Sequence, residues 1–190
     1  KVLLANLNGD SGGVVTAQLS EVLDSCDALE VYRANQVLKL PKDANLVRRL
    51  MLASEKGREW LREQQADILV WGEVEGNSVR LRFDPKIPCA DNLPGAFGLG
   101  DTLQLPTEML EAQASVVHAT VLAAVGPTFP GLKTHISEVL GWAVQGARDI
   151  TQNQPEGMSA IQHATVLISL ANAFSAQYRL IKGAKNLASA

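Results

Sequence analysis

The stretch Ile68-Leu69-Val70-Trp71-Gly72-Glu73-Val74-Glu75, Gly76-Asn77, Ser78-Val79-Arg80-Leu81-Arg82-Phe83 constrains the fold more than any other segment of this chain. Two runs of alternating character, rich in β-branched and aromatic residues, flank a Gly-Asn pair, the pattern of a β-hairpin closed by a two-residue turn. Such a turn fixes the register: Glu75 opposite Ser78, Val74 opposite Val79, Glu73 opposite Arg80 and Trp71 opposite Arg82. Successive side chains on a strand point to opposite faces, so Val70, Val74, Val79, Leu81 and Phe83 share one face and Trp71, Glu73, Arg80 and Arg82 the other. The first face is core.

Two strand-helix units precede the hairpin. The continuous apolar run Val2-Leu3-Leu4-Ala5 fits a strand covered on both sides, and Gly9 to Gly13 ends it. Val15, Leu19, Val22, Leu23 and Cys26 then recur at helical spacing, with Asp10 or Ser11 placed to cap the helix by accepting its orphan backbone N–H groups. Ala28 to Tyr32 reads as a second short strand, and Leu46, Val47, Leu50, Met51, Trp60 and Leu61 as a long helical region with a break expected at Gly57.

Downstream, Asp84 to Pro106 holds Pro85, Pro88, Pro94, Gly95, Gly98, Gly100 and Pro106, so it is expected to be mostly irregular, with Thr102 to Leu105 adding a short edge strand. Beyond it the period is helical throughout: Met109 to Ala124, Leu132 to Ala147, and Ser159 to Tyr178, separated by Gly and Pro. The expected fold is α/β, a βαβαββ mixed sheet with helices packed on it, followed by an all-α region. The expected division is 1–106, irregular from about 84, and 107–190.

At 190 residues with 46% hydrophobic content the chain is long enough for one full-sized domain and a smaller unit. A net charge of -3 with scattered Lys and Arg offers no footprint for nucleic acid and no polybasic surface for lipid. The apolar stretch Val116 to Val125 is about half the length needed to cross a bilayer. The chain opens at Lys1 directly in strand-like sequence, without the series of a signal peptide or an initiator Met, which reads as a processed or excised chain. A cytoplasmic location is expected, the periplasm remaining open. Cys26 and Cys89 exclude a disulfide-rich scaffold and read as a core and a loop cysteine.

The opening Val2-Leu3-Leu4-Ala5-Asn6-Leu7, the loop Gly9-Asp10-Ser11-Gly12-Gly13, and Ala66 to Val74 leading into Val79-Arg80-Leu81-Arg82 together resemble the TolB amino-terminal-type domain family over roughly the first 83 residues. At the other end, Leu170, Ala171, Phe174, Gly183, Leu187 and Ala190 fall at the spacing of tetratricopeptide repeat (TPR) positions. Ile168 to Phe174 is similar to the first helix of such repeats in bacterial arrays, although Ala171 stands where Gly is usual. The resemblance implies a TPR-like region from about 159, truncated at the chain's end, in a protein that continues. It also implies an adaptor-type segment of a larger bacterial signalling or scaffolding protein, with protein partners at the helical region.

Candidate sites are few. The loop Gly9, Asp10, Ser11, Gly12, Gly13 lies between strand and helix, where backbone N–H groups cradle anions, but it lacks the Lys-Ser/Thr ending of a P-loop and the G-x-G-x-x-G spacing. The plainer reading is a tight turn with a helix cap. Trp71 and Arg82 stand opposed, as an indole and a guanidinium that stack, and Glu73 opposite Arg80 suits a cross-strand ion pair better than acid catalysis. This surface is expected to be covered by the carboxy-terminal helices or by a second subunit, making a homo-oligomer possible, with a small ligand as the lesser reading. His118, His135 and His163 lie on three helices without partners at metal-ligand spacing, and Cys26 has no sequence-local base. No catalytic residue, metal or cofactor is therefore assigned. The expectation is a non-catalytic interaction or regulatory module, the alternative being a sensor of a nucleotide or metabolite.

Overall fold

The computed structural model describes residues 1–42, 45–87, 98, 100–126, 133–148 and 154–188, with the backbone alone for 133–134 and 182–188. Among these residues the chain runs β1 (Val2–Asn6), α1 (Val14–Asp24), β2 (Val31–Val37), α2 (Leu46–Glu63), β3 (Ile68–Glu75), β4 (Ser78–Pro85), β5 (Leu103–Pro106), α3 (Ala114–Val125), α4 (Lys133–Gly146) and α5 (Ala160–Ala188). A single 3-10 turn, Thr107–Met109, leads from β5 towards α3. The order is βαβαββ followed by a strand and three helices, a mixed α/β architecture.

The sheet order is β2-β1-β3-β4-β5. β1 pairs in parallel with both β2 and β3, while β4 is antiparallel to β3 and to β5. The chain steps one way across the sheet from β1 to β2 and back again to reach β3. Right-handed crossovers that step in opposite directions lay their helices on opposite faces. Accordingly Leu19, Val22 and Leu23 of α1 join Val2, Leu4, Ile68 and Val70 in one core, and Leu50, Ala53, Trp60 and Leu61 of α2 join Leu3, Ala5, Leu69 and Trp71 in another. Burial on both sides is why β1 and the first half of β3 read as unbroken apolar runs.

The hairpin has the register read from its turn, with Glu75 opposite Ser78, Val74 opposite Val79, Glu73 opposite Arg80 and Trp71 opposite Arg82. Gly72 is required there, because a Cβ would stand 1.9 Å from the Arg80 carbonyl oxygen. α2 runs unbroken through Gly57, where a Cβ would come 2.6 Å from a Leu69 methyl, so this glycine lets the helix lie close on β3 instead of ending it. β2 begins three residues later than Ala28 and extends to Val37. As the sheet's outer strand it leaves Tyr32, Arg33, Asn35 and Gln36 exposed, so no apolar pattern marks it.

Two expectations for the second half change. The Trp71 face is covered by α2, whereas α3, α4 and α5 pack with α1 on the opposite face, over Val79, Leu81 and Phe83. The segment matching TPR positions is one helix, Ala160–Ala188, with no turn to divide it into a helix pair. Of the residues carrying that match, Ala190 lies outside the described residues, as do Cys89, Pro88, Pro94 and Gly95 of the expected linker. α5 is fastened to the sheet through its first turns. The Gln104 backbone N–H donates to Thr165 Oγ1 at 3.0 Å, and the side-chain amides of Gln104 and Gln162 both donate to Ser78 Oγ at 3.2 Å. Thr165 thus occupies the outward edge of β5, while among the described residues no strand pairs with the outward edge of β2.

Candidate functional site

The glycine loop and the Trp71 patch meet at β3. Beyond β1, the Asn8 N–H donates to the Gly72 carbonyl at 2.9 Å and the Val74 N–H to the Asn8 carbonyl at 2.8 Å, placing Asn8 beside Glu73. Gly9 follows at φ 83°, and a Cβ there would stand 2.5 Å from the Val74 carbonyl oxygen, so only glycine fits. Asp10 turns back over the start of α1. Its carboxylate accepts from the Thr16 hydroxyl at 2.6 Å, the Thr16 N–H at 2.7 Å and the Val15 N–H at 3.2 Å. Burial alone would raise the Asp10 pKa, but the Thr16 hydroxyl and the amides of Thr16, Val15 and Val14 outweigh it and hold the carboxyl below its ordinary value. The helix N-terminus that an external anion would use is occupied by the protein's own carboxylate.

On the α2 face, Arg80 donates to Glu73 Oε1 at 2.9 Å, and Arg82 stands 3.9 Å from the same oxygen with its guanidinium 5.5 Å from the Trp71 ring centroid. Behind them lies a buried carboxylate, Asp84, one residue beyond the strand expected to end at Phe83. Asp84 accepts the Trp71 indole N–H at 2.7 Å and the Ser54 hydroxyl at 3.2 Å, and Arg58 of α2 donates to Ser54 Oγ at 2.9 Å. Burial raises the Asp84 pKa above the usual carboxylate range, against the pull of Trp71, Ser54, Arg58 and Arg82. Burial likewise lowers that of Arg82, opposed by Glu73. The period-two alternation of β4, carried past Phe83, places Asp84 on the face of Arg80 and Arg82 and was the available signal. The network ties α2 to the hairpin, and each carboxylate in it faces a donor.

Three residues treated as isolated in the sequence share one cleft. Cys26, at the end of α1, His118 of α3 and His135 of α4 line a space of about 380 Å³ with Asp27, Val139 and Trp142. The His118 Nε2–H donates to the Val22 carbonyl at 2.6 Å, leaving Nδ1 as an acceptor in the neutral ring. Burial pushes the Cys26 thiol up, away from the thiolate that reactivity needs. Among the described residues no three His, Cys, Asp or Glu side chains converge as a metal ion requires.

A second apolar face of α5 lies exposed. One side of this helix packs Val166, Leu170, Ala173, Ala176 and Leu180 into the core. The opposite side carries Ile161, Leu167, Ile168, Phe174, Tyr178 and Ile181 in solvent, Ile161 being 69% and Tyr178 67% exposed. A helix apolar on both sides belongs inside something. No helix among the described residues is long and apolar enough to cross a membrane. No protein-family model, curated protein or solved structure matches the chain.

Proposed function

We propose that this chain is a non-catalytic protein-interaction module, a regulatory or scaffolding segment of a larger bacterial protein, and that the outer face of α5 is its contact surface. The observation that carries the reading is that face: Leu167, Phe174, Tyr178 and Ile181 along one stripe with Ile161 and Ile168 beside it, where an ordinary surface exposes large apolar residues singly. The saturated state of the carboxylates supports it, since Asp10, Glu73 and Asp84 are each engaged by donors in structural roles. Within this reading the TolB-like resemblance of residues 1–83 makes the sheet an adaptor domain. The TPR resemblance is kept at the level of a first repeat helix, because α5 runs unbroken.

The test is capture by the immobilised chain, in parallel with Phe174→Asp and Tyr178→Asp. Both positions are exposed, Phe174 less so than Tyr178, so each variant is expected to fold and to melt within a few degrees of the parent. A protein retained by the parent and lost from both variants is the expected outcome. Retention by all three, or turnover of a substrate by the purified chain with no partner bound, would sink the reading.

A further inference from the structure

We infer that the partner seated on the outer face of α5 is a second copy of this chain, with the two helices antiparallel; the inference rests on reading that face as a contact surface. Ala164, Leu167, Ala171, Phe174, Tyr178 and Ile181 step alternately by three and four residues, the spacing of a helix-pairing seam, and all six are exposed. Ile161 and Ile168 flank the seam on the same side. Reversing a partner turns its sequence of positions around, so each first-type position of one helix meets a second-type position of the other.

In that register Ala164 meets Ile181 of the second copy, Leu167 meets Tyr178, and Ala171 meets Phe174. The two-fold axis passes between Asn172 and Ala173. Every layer sets a smaller side chain against a larger one, so the seam fills evenly along its length. A parallel pair would instead stack Ala164 on Ala164 and Ala171 on Ala171, leaving voids beside crowded Phe174 and Tyr178 pairs. The seam carries no charge that would repel an identical copy.

The area is sufficient. Taking roughly 200 Å² for a large apolar side chain, the exposed fractions of the four large seam residues together with Ile161 and Ile168 leave about 600 Å² uncovered on each chain. A two-fold pair that covers the flanking isoleucines as well as the seam would bury up to about 1,200 Å² in all, where specific, stable interfaces begin.

Sedimentation equilibrium of the 190-residue chain at about 100 μM tests this, because self-association follows mass action. The expected mass is twice 20.4 kDa. Ala171→Arg and Tyr178→Lys should each return it to that of a single chain, with an unchanged far-ultraviolet dichroism spectrum. Direction is read by mixing chains carrying Ala164→Cys with chains carrying Ile181→Cys under mild oxidation and mapping the linked peptides. An antiparallel pair links residue 164 to residue 181, and keeps the two copies of residue 164 about 25 Å apart, too far to bridge. A parent chain of single mass, a double mass that survives both charge variants, or 164-to-164 links would each overturn the pairing. A monomeric parent whose captured partner is still lost on Tyr178→Asp would refute the self-pairing alone, whereas loss of neither would refute the wider reading too.

Discussion

Asp84 keeps its carboxylate under α2, held by the Trp71 indole and the Ser54 hydroxyl, and its burial has a signed consequence for stability. The unfolded chain releases this proton at an ordinary aspartate value of about 3.9. The folded chain holds it to higher pH. Between the two values the folded state binds more protons, so the Asp84 contribution to stability is fully present below the unfolded pKa and falls as pH rises towards the folded one. Asp84→Asn, which keeps the shape and never ionises, is expected to flatten that part of the stability profile. Denaturant titrations at intervals from about pH 4 to pH 7 check this, and an unchanged slope in the variant would exclude Asp84 as its source. Asp10 has the opposite sign: its pKa is lowered, so its stabilisation is present above the unfolded value and lost as pH falls through the folded one.

Among the elements, β5 depends on a helix for its outer hydrogen bond. Thr165→Val keeps the shape of the side chain but leaves the Gln104 N–H facing a methyl group. The expected loss is about 1–3 kcal/mol, measured by chemical denaturation, and a variant as stable as the parent would show that water replaces the hydroxyl without cost. The hairpin was legible to the residue because a two-residue turn and period-two alternation determine register together. β2 was not, because an outer strand with polar residues on both faces has no apolar pattern to read. Gly57 was misread for a physical reason: a glycine inside a helical pattern weakens propensity, yet here it answers a close approach to Leu69 that no local window contains. Asp84 lay just past the end assigned to its strand. Cys26, His118 and His135 could not be joined at all, since the cleft they line is made by three helices distant in sequence. The outer face of α5 was half visible: the apolar residues stood out, but two opposite apolar stripes on one helix blur into a general hydrophobicity without a direction.

For the molecule as a whole, the two sides of the sheet are unequal. Among the described residues α2 is the one helix on one of them, joined by Leu38 and Leu40, while α3 is enclosed by α1, α4, α5 and the sheet. Local opening should follow that difference, with amide hydrogens of α2 exchanging about tenfold or more faster than those of α3 under native conditions. Equal protection of the two helices would mean that both layers open as one unit.

The edges of the sheet are unequal as well. Thr165 fills the hydrogen-bonding side of β5, and among the described residues no strand pairs with the outward side of β2. Growth of a sheet from chain to chain needs two usable ends, one to receive and one to offer. The described residues offer a single one, so any two copies joined through β2 would present only stoppered ends, and strand addition would terminate at a pair instead of running on into a fibre.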